Sequence, residues 1–443
     1  MTDLMSIGAS GLRAYRDALG TTSDNIANAQ TAGYVRRSVQ LAETPGSGDM
    51  VLYRSASSPS GVLVQGVQRS VDEWLVEDSR TSIGNAQRTG TRLQWLQASE
   101  NALDDGQSGV GQSLTAMFNA ADALSSDPGN TAARSTFLAT VSSAADAFRQ
   151  TASDLQGVAS GIATSGQTAV DQVNSDIAAL QKVNEGLLRA REGSTNQASL
   201  LDERDQLLDS LSGALPINVT FDAHGAASVR TGGSSGPILL DGPTVGTVGL
   251  NVLADGQLSF NVDGTAIAPA SGSLSGLASA AASVADQRTK LDALASQFAT
   301  QLNNAHEAGI DSNGNAGQAL VSFSGTAASL TAASLTPDQV AAADSASDNG
   351  NMLAFANLRG PTGTEQGWSQ LVSMNAQTVS SANAEDTAAS TRRDGAMAAR
   401  DAVSGVDLDH ESADLLRFQQ AYEGSARVIQ VARETFQSIL NAI

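Results

Sequence analysis

The sequence predicts a mainly α-helical protein with a small all-β insertion and with its first and last helices paired as a coiled coil. Three observations carry this: apolar residues recur at heptad spacing at both ends, long interior stretches hold little Gly or Pro, and one central segment turns to Gly, Ser, Thr and Val.

The first helix is read from Met5, Leu12, Leu19 and Ile26, with Gly8, Tyr15, Thr22 and Ala29 at the alternating position. It should end near Gly33, a residue suited to a left-handed cap. Val35, Val39 and Leu41, then Gly61 to Val67, read as a short β excursion around the turn residues Pro45-Gly46-Ser47-Gly48. A second helix is expected from Ser70, with Glu73 at capping-box spacing and Trp74, Leu75, Leu93, Leu96 and Leu103 along it. After the turn Asp127-Pro128-Gly129-Asn130, helical spacing resumes with Phe137, Leu138, Val141 and Phe148. Val170, Val173, Ile177, Leu180, Asn184 and Leu187 then step by threes and fours, with one polar interruption. Leu200 to Leu215 closes the region.

From Pro216 to about Ser275 short apolar runs alternate with turn signals, among them Asp255-Gly256 and Asp263-Gly264. Helical spacing returns at Leu277 and runs through Leu291, Leu294, Phe298 and Leu302, and again from Trp368. The stretch 311–365 is polar, rich in Ala and Ser, and without a clear period. The last segment carries an a/d stripe of Leu408, Leu415, Phe418, Tyr422, Ser425, Ile429, Ala432, Phe436, Ile439 and Ile443, broken only at Glu411. Such a seam needs a partner helix, and the N-terminal heptads supply one. The expected layout is a terminal coiled-coil assembly domain (1–69 with 390–443), a mainly helical domain (70–215 with 276–389) and a β-rich insert (216–275). The expected assembly seam is Met5, Leu12, Tyr15, Leu19 and Ile26 with Leu408, Leu415, Phe418, Tyr422, Ile429, Phe436 and Ile439.

Composition narrows the function. The 443 residues carry 25 basic and 46 acidic side chains, a formal charge of −21. Nucleic acids and anionic membranes are both disfavoured by that balance. The charge is uneven: residues 201–390 hold five basic groups against eighteen acids, whereas 392–443 hold six against eight. Nearly balanced ends suit packing against other chains, and an acidic middle suits water. The absence of Cys excludes disulfides and thiolate chemistry, and His224, His306 and His410 are too scattered to suggest a metal site. No metal or other cofactor is expected. No apolar run approaches a membrane span, and Arg13, Arg16 and Asp17 interrupt any signal-peptide core.

Two terminal motifs carry a resemblance. Asp24-Asn25-Ile26-Ala27-Asn28-Ala29-Gln30-Thr31-Ala32-Gly33-Tyr34 resembles the signature of flagellar rod, hook and hook-associated proteins, with Gln30 and Ala32 where the family usually has Asn and Pro. The signature positions are Asn25, Ile26, Ala27, Asn28, Gly33 and Tyr34. Ser404 to Asp409, followed by Leu415 to Tyr422, is similar to the matching C-terminal end. Inside the chain, Leu201-Asp202-Glu203-Arg204-Asp205-Gln206-Leu207-Leu208-Asp209, Leu124 to Pro128 and Ala305 to Gly314 resemble the FlgK group of hook-associated proteins. The resemblance implies a structural junction subunit joining hook to filament and exported without a cleaved signal peptide to the extracellular flagellum. Implied partners are further copies in a helical ring, the hook protein, a second junction protein (FlgL) and an export chaperone (FlgN) on the C-terminal helix. The β insert would project outwards.

Other readings stay open. A flagellin-like filament subunit would also pair its terminal helices, and the β insert could be a glycan-binding or adhesin module, although Phe221 and Phe260 are its few aromatics. An enzyme is the least supported. Asp311, Asn313 and Asn315 imitate a calcium loop but lack the later Gly and Glu. The paired acids Asp104-Asp105 and Asp202-Glu203 read as helix-terminal or solvated charges.

Overall fold

The computed structural model describes residues 2–43, 61–104, 106 and 108–441. The turn expected at Pro45–Gly48, Asp105 and Ile443 lie outside the described residues. Two compact units form, each assembled from separated stretches of chain. The first contains residues 1–85, 173–247 and 390–443, and the second 86–172 and 248–389.

The first unit opens with helix α1 (Thr2–Ala27), followed by strands β1 (Arg37–Glu43) and β2 (Val62–Arg69), which pair antiparallel. Helix α1 stops six residues before Gly33; successive turns fill the gap, and Gly33 takes the left-handed conformation expected of it (φ 75°). Helix α2 (Glu73–Ala102) begins later than Ser70 because Asp72 is the residue that caps it. The Asp72 Oδ1 accepts the backbone N–H of Trp74 and Leu75 at 3.0 and 3.1 Å. Helix α3 (Val110–Ser126) follows, and α4 (Thr131–Arg189) is one continuous helix through both stretches of helical spacing.

The heptads near the end of α4 are buried as expected, and their polar interruption has a role. Asn184 donates to the carbonyl of Ala227 at 2.8 Å and accepts its N–H at 2.9 Å. That pair ties α4 to the strands that follow α5 (Thr195–Ala214).

Seven short strands, β3 (Ile217–Phe221), β4 (Ala227–Thr231), β5 (Ile238–Asp241), β6 (Thr244–Val245), β7 (Val248–Val252), β8 (Leu258–Val262) and β9 (Thr265–Ile267), fill the predicted β region. They form two antiparallel sheets, β3-β4-β5-β6 and β7-β8-β9. The expected hairpins are present, with Gly256 at φ 91° and Asp263 and Gly264 at φ 49° and 81°. The first sheet belongs to the first unit and the second sheet to the second, so contacts divide the chain differently from the three-part layout read from composition. Each sheet is too small to bury a core of its own and packs on the helices of its unit. In the second unit β7 and β8 press Leu250 and Leu258 against Gly166 of α4, where a Cβ would come within 3.1 Å.

The second unit continues with α6 (Gly272–Glu307), the short strands β10 (Val321–Ser322) and β11 (Thr331–Ala332), α7 (Gly350–Ala354) and α8 (Thr364–Ser404), of which the residues from 390 onward belong to the first unit. Its largest core cluster is apolar, and a smaller one of Leu93, Leu96, Val379 and Ala382 lies apart from it. Phe148 stacks on Phe298 at 5.4 Å, and Phe137 meets Phe355 edge-on at 5.7 Å. The aperiodic stretch 311–365 is irregular backbone that nonetheless buries Leu320, Leu330, Val340, Met352 and Phe355 in that core. His306 holds this stretch in place. Its Nε2 accepts the N–H of Ala341 at 2.9 Å, so the ring proton is on Nδ1, which donates to the carbonyl of Gln318 at 2.6 Å. Helix α9 (Leu408–Leu440) closes the first unit, capped by Asp407.

Burial pushes the His306 pKa below its usual value despite the opposing carboxylates of Glu307 and Asp311. The unfolded chain therefore binds the proton more readily, and His306 stabilises the fold fully above about pH 6.5. As the pH falls below that value stability should decline, with a slope of at most ~1.4 kcal/mol per pH unit from this group. Urea denaturation at pH 5.0–7.5 should show the slope in the natural chain, and His306→Gln should flatten it.

Candidate assembly interface

Helices α1 and α9 pack antiparallel, because Gly8 and Gly11 meet Ile429 and Ser425 while Asn25 meets Glu411. The seam that α9 covers is not the one expected on α1. It runs through Gly8, Gly11, Ala14, Ala18, Thr21 and Asn25, all buried and spaced by threes and fours. A Cβ on Gly8 would lie 2.6 Å from Ile429 Cγ1, and one on Gly11 2.6 Å from Ser425 Oγ. Small residues thus let the two backbones approach closely.

The residues predicted as the seam lie beside it. Met5 is exposed, while Leu12, Tyr15, Leu19 and Ile26 are half-buried along its edges. On α9, Leu415, Phe418 and Ile429 are half-buried, whereas Leu408, Tyr422, Phe436 and Ile439 are exposed. Beyond Gly8, the seam on α1 runs one position before the expected stripe, through small residues rather than large apolar ones. Glycines can define a seam only when the partner comes close enough to exclude water.

Glu411, which looked like a break in the stripe, is the most buried residue of α9. Arg36 Nε donates to its Oε1 at 2.6 Å, and Asn25 Nδ2 donates to its Oε2 at 3.0 Å. Asn25 also donates to the carbonyl of Arg37 at 2.8 Å. Its Oδ1 accepts the Arg37 N–H at 3.0 Å and the Tyr34 hydroxyl at 2.8 Å. Every hydrogen-bonding position of this one side chain is used, so α1, the turn after it, β1 and α9 are held in one register. Burial pushes the Tyr34 hydroxyl up to about 12, with the Arg37 guanidinium, 4.7 Å from the ring centroid, opposing the shift.

The other signature residues have smaller parts. Asn28 donates to the Asp24 carbonyl and accepts from Thr31, closing the turn. Ala27 is exposed. Gly33 combines a left-handed φ with a position where any side chain would collide with Gln206, whose amide donates to the Ala32 carbonyl at 3.2 Å.

A second polar constellation lies on α5. Asp202, Asp205 and Asp209 are spaced i, i+3, i+7 and face inward. Asp202 binds Arg37 and Arg69 at 2.6 and 2.7 Å, and Asp205 binds Arg69, Arg80 and Arg204 at 2.7, 3.3 and 2.7 Å. Asp209 binds Arg80 at 2.8 Å and Arg400 at 2.7 Å. This corrects the expectation that Asp202 is a solvated charge; its neighbour Glu203 is the exposed one. Burial acts to raise the Asp205 carboxyl, but the guanidiniums of Arg204, Arg69 and Arg80 outweigh it and hold the carboxyl below its ordinary value. At Asp202 burial prevails over Arg69 and Arg37 and pushes the carboxyl up. The available signal was three acids sharing one face of a short helix. Apart from the adjacent Arg204, their arginine partners are remote in sequence and gave no signal.

Among the described residues, no group of His, Asp and Glu is arranged to hold a metal ion, and no helix is long and apolar enough to cross a membrane.

Comparison with known proteins matches the two ends and the middle of the chain separately. Residues 5–34 match the family described as flagella basal body rod protein, and residues 400–442 match the flagellar basal body rod FlgEFG protein C-terminal family. The paired ends are therefore those of the flagellar rod and hook class. Residues 96–321, half of the chain, match the flagellar hook-associated protein FlgK helical domain. The chain belongs to the FlgK family of flagellar hook-associated proteins.

Flagellar hook-associated protein 1 of Bacillus subtilis is 25% identical, with 98% of this chain and 96% of that protein aligned. The Escherichia coli protein of the same name is 27% identical over 72% of this chain, which spans only 59% of its length. The solved flagellar hook junction protein FlgK from Burkholderia pseudomallei is 20% identical, with a TM-score of 0.48 over 56% of this chain and 46% of that one.

Two substitutions test the geometry. Asp202→Ala leaves Arg37 and Arg69 short of a buried partner and should cost about 3–5 kcal/mol, whereas Glu203→Ala should stay within ~0.5 kcal/mol; urea denaturation followed by circular dichroism measures both. Gly11→Leu should force α9 off α1 at a cost of about 1–3 kcal/mol, seen as faster amide exchange across 408–440.

Proposed function

We propose that this protein is a junction subunit connecting the flagellar hook to the filament, and that it assembles through its terminal helices. The observation that carries the reading is the apolar surface left uncovered after α1 and α9 have paired. Leu408, Leu416, Val431, Phe436, Ile439 and Leu440 are all exposed on one helix. A helix that keeps this much apolar surface in water needs further partners, and a lattice of identical and related subunits supplies them. The proposed partners are other copies of the chain, the hook protein and a second junction protein (FlgL), with an export chaperone (FlgN) covering α9 beforehand. The protein acts outside the cell, in the flagellum.

The reading is of an assembling protein rather than an enzyme. In the charged cluster each carboxylate of α5 is engaged by at least two guanidiniums, which leaves none to move a proton. The only fully buried imidazole, His306, has both nitrogens bound to backbone.

Leu416 and Val431 offer a clean test, since at 58% and 59% exposed they can change without disturbing the contact with α1. Leu416→Asp with Val431→Asp should leave the purified monomer's melting temperature unchanged. Cells relying on that variant should carry hooks without filaments and fail to swim. Normal swimming with full filaments would refute the proposal.

A further inference from the structure

Trp74 is unused by everything above. At 71% exposed it is the most exposed large apolar side chain among the described residues. It stands in the first turn of α2 beside Val71, itself exposed, with Glu77 and Asp78 on the same face one turn later and Glu73 adjacent. The start of a helix favours acids electrostatically, which accounts for Asp72 and Glu73. It does not account for a bare indole, nor for Glu77 and Asp78, which have no ion-pair partner among the described residues. An exposed Trp ringed by unpaired carboxylates has the chemistry of an interface anchor with an acidic rim.

The same unit carries a patch of the opposite character. At the end of α4, Leu188 is 55% exposed and is flanked by Arg189 and Arg191, with Lys182 two turns earlier. Lys182 and Arg191 lack ion-pair partners among the described residues, and Arg189 reaches only its helix neighbour Glu185 at 3.9 Å. A helix C-terminus favours a cation, so Arg189 alone would need no other explanation. The exposed Leu188 and the unpaired Lys182 and Arg191 do. In a chain with 46 acidic against 25 basic side chains, an apolar residue with three cations and the acids Glu185 and Glu192 around it is one surface that complements an apolar residue framed by carboxylates alone.

We infer that Trp74 of one copy docks on the Leu188, Arg189 and Arg191 patch of a second copy, forming a contact separate from the terminal helices. The two patches differ and lie on the same chain, which is the requirement for a heterologous contact that repeats from subunit to subunit. The inference rests on the reading that copies of this chain assemble, and it identifies where one further contact falls. Trp74 supplies the buried apolar anchor, and the rims select the partner and its orientation by charge.

Charge reversal with rescue tests this in cells relying on the altered chain. Glu77→Arg with Asp78→Arg should cut incorporation into isolated hook ends at least about tenfold. Arg189→Glu with Arg191→Glu should do the same, and all four changes in one chain should restore incorporation. Trp74→Ala should reduce incorporation with no effect on the melting temperature of the monomer. Because the chain has no Cys, Asp78→Cys with Arg189→Cys gives a clean cross-linking pair. A short bismaleimide on hook ends should yield dimers and higher ladders. Normal incorporation of either single-patch variant, or failure of the four-fold variant to recover, overturns the inference. Ladders absent from hook ends that contain the Cys variant also overturn it. Leu416→Asp with Val431→Asp separates the two readings: if that variant assembles while the charge-reversed chains do not, the terminal-helix proposal fails and this contact stands.

Discussion

The first unit depends on one constraint, the row of inward-facing carboxylates on α5, of which Asp202 is buried and Asp205 and Asp209 are half-buried. Its members come from stretches that are remote in sequence. Asp202, Asp205 and Asp209 collect Arg37 from β1, Arg69 from β2, Arg80 from α2 and Arg400 from α8. Buried ion pairs contribute little net stability over an apolar packing of the same shape, because desolvation offsets the attraction. What they do provide here is selectivity. Each guanidinium has carboxylates at a defined spacing to meet, and a shift of any segment would strand a charge in a dry site.

The paired ends obey a second constraint of the same kind. Asn25 and Glu411 sit in a seam made mostly of small residues, where a slip by one turn would leave a buried amide and a buried carboxylate without partners. With the small residues turned inward, the large ones are left at the flanks and outside. The close approach of α1 and α9 therefore has a direct consequence for function: the pair is tight in its centre and apolar on its exterior. That combination suits a subunit whose ends are to be covered by other subunits, and it would be a liability in a protein that works alone.

The second unit is conventional by comparison. A large apolar core joins α3, α4, α6 and α8, and polar groups serve as local ties, as His306 does for the irregular stretch beyond α6. This contrast matches the composition, in which the ends are rich in Arg and the middle is poor in it.

In the sequence, helical periodicity marked the long helices and the pairing of the two ends, turn dipeptides marked the hairpins at Asp255-Gly256 and Asp263-Gly264, and the terminal motifs carried the family resemblance. Those features depend on local backbone preferences and on repeats a few residues long, which any window of the chain displays. Tertiary structure decided which face of α1 is the seam, why Glu411 interrupts the stripe, and that Asp202 is buried while Glu203 is not. It also decided that the β region splits into two sheets. Each of these turns on a partner more than 20 residues away or on how closely two backbones approach. A glycine stripe becomes an interface, and an acid becomes a buried anchor, only when a distant segment arrives to exclude the water.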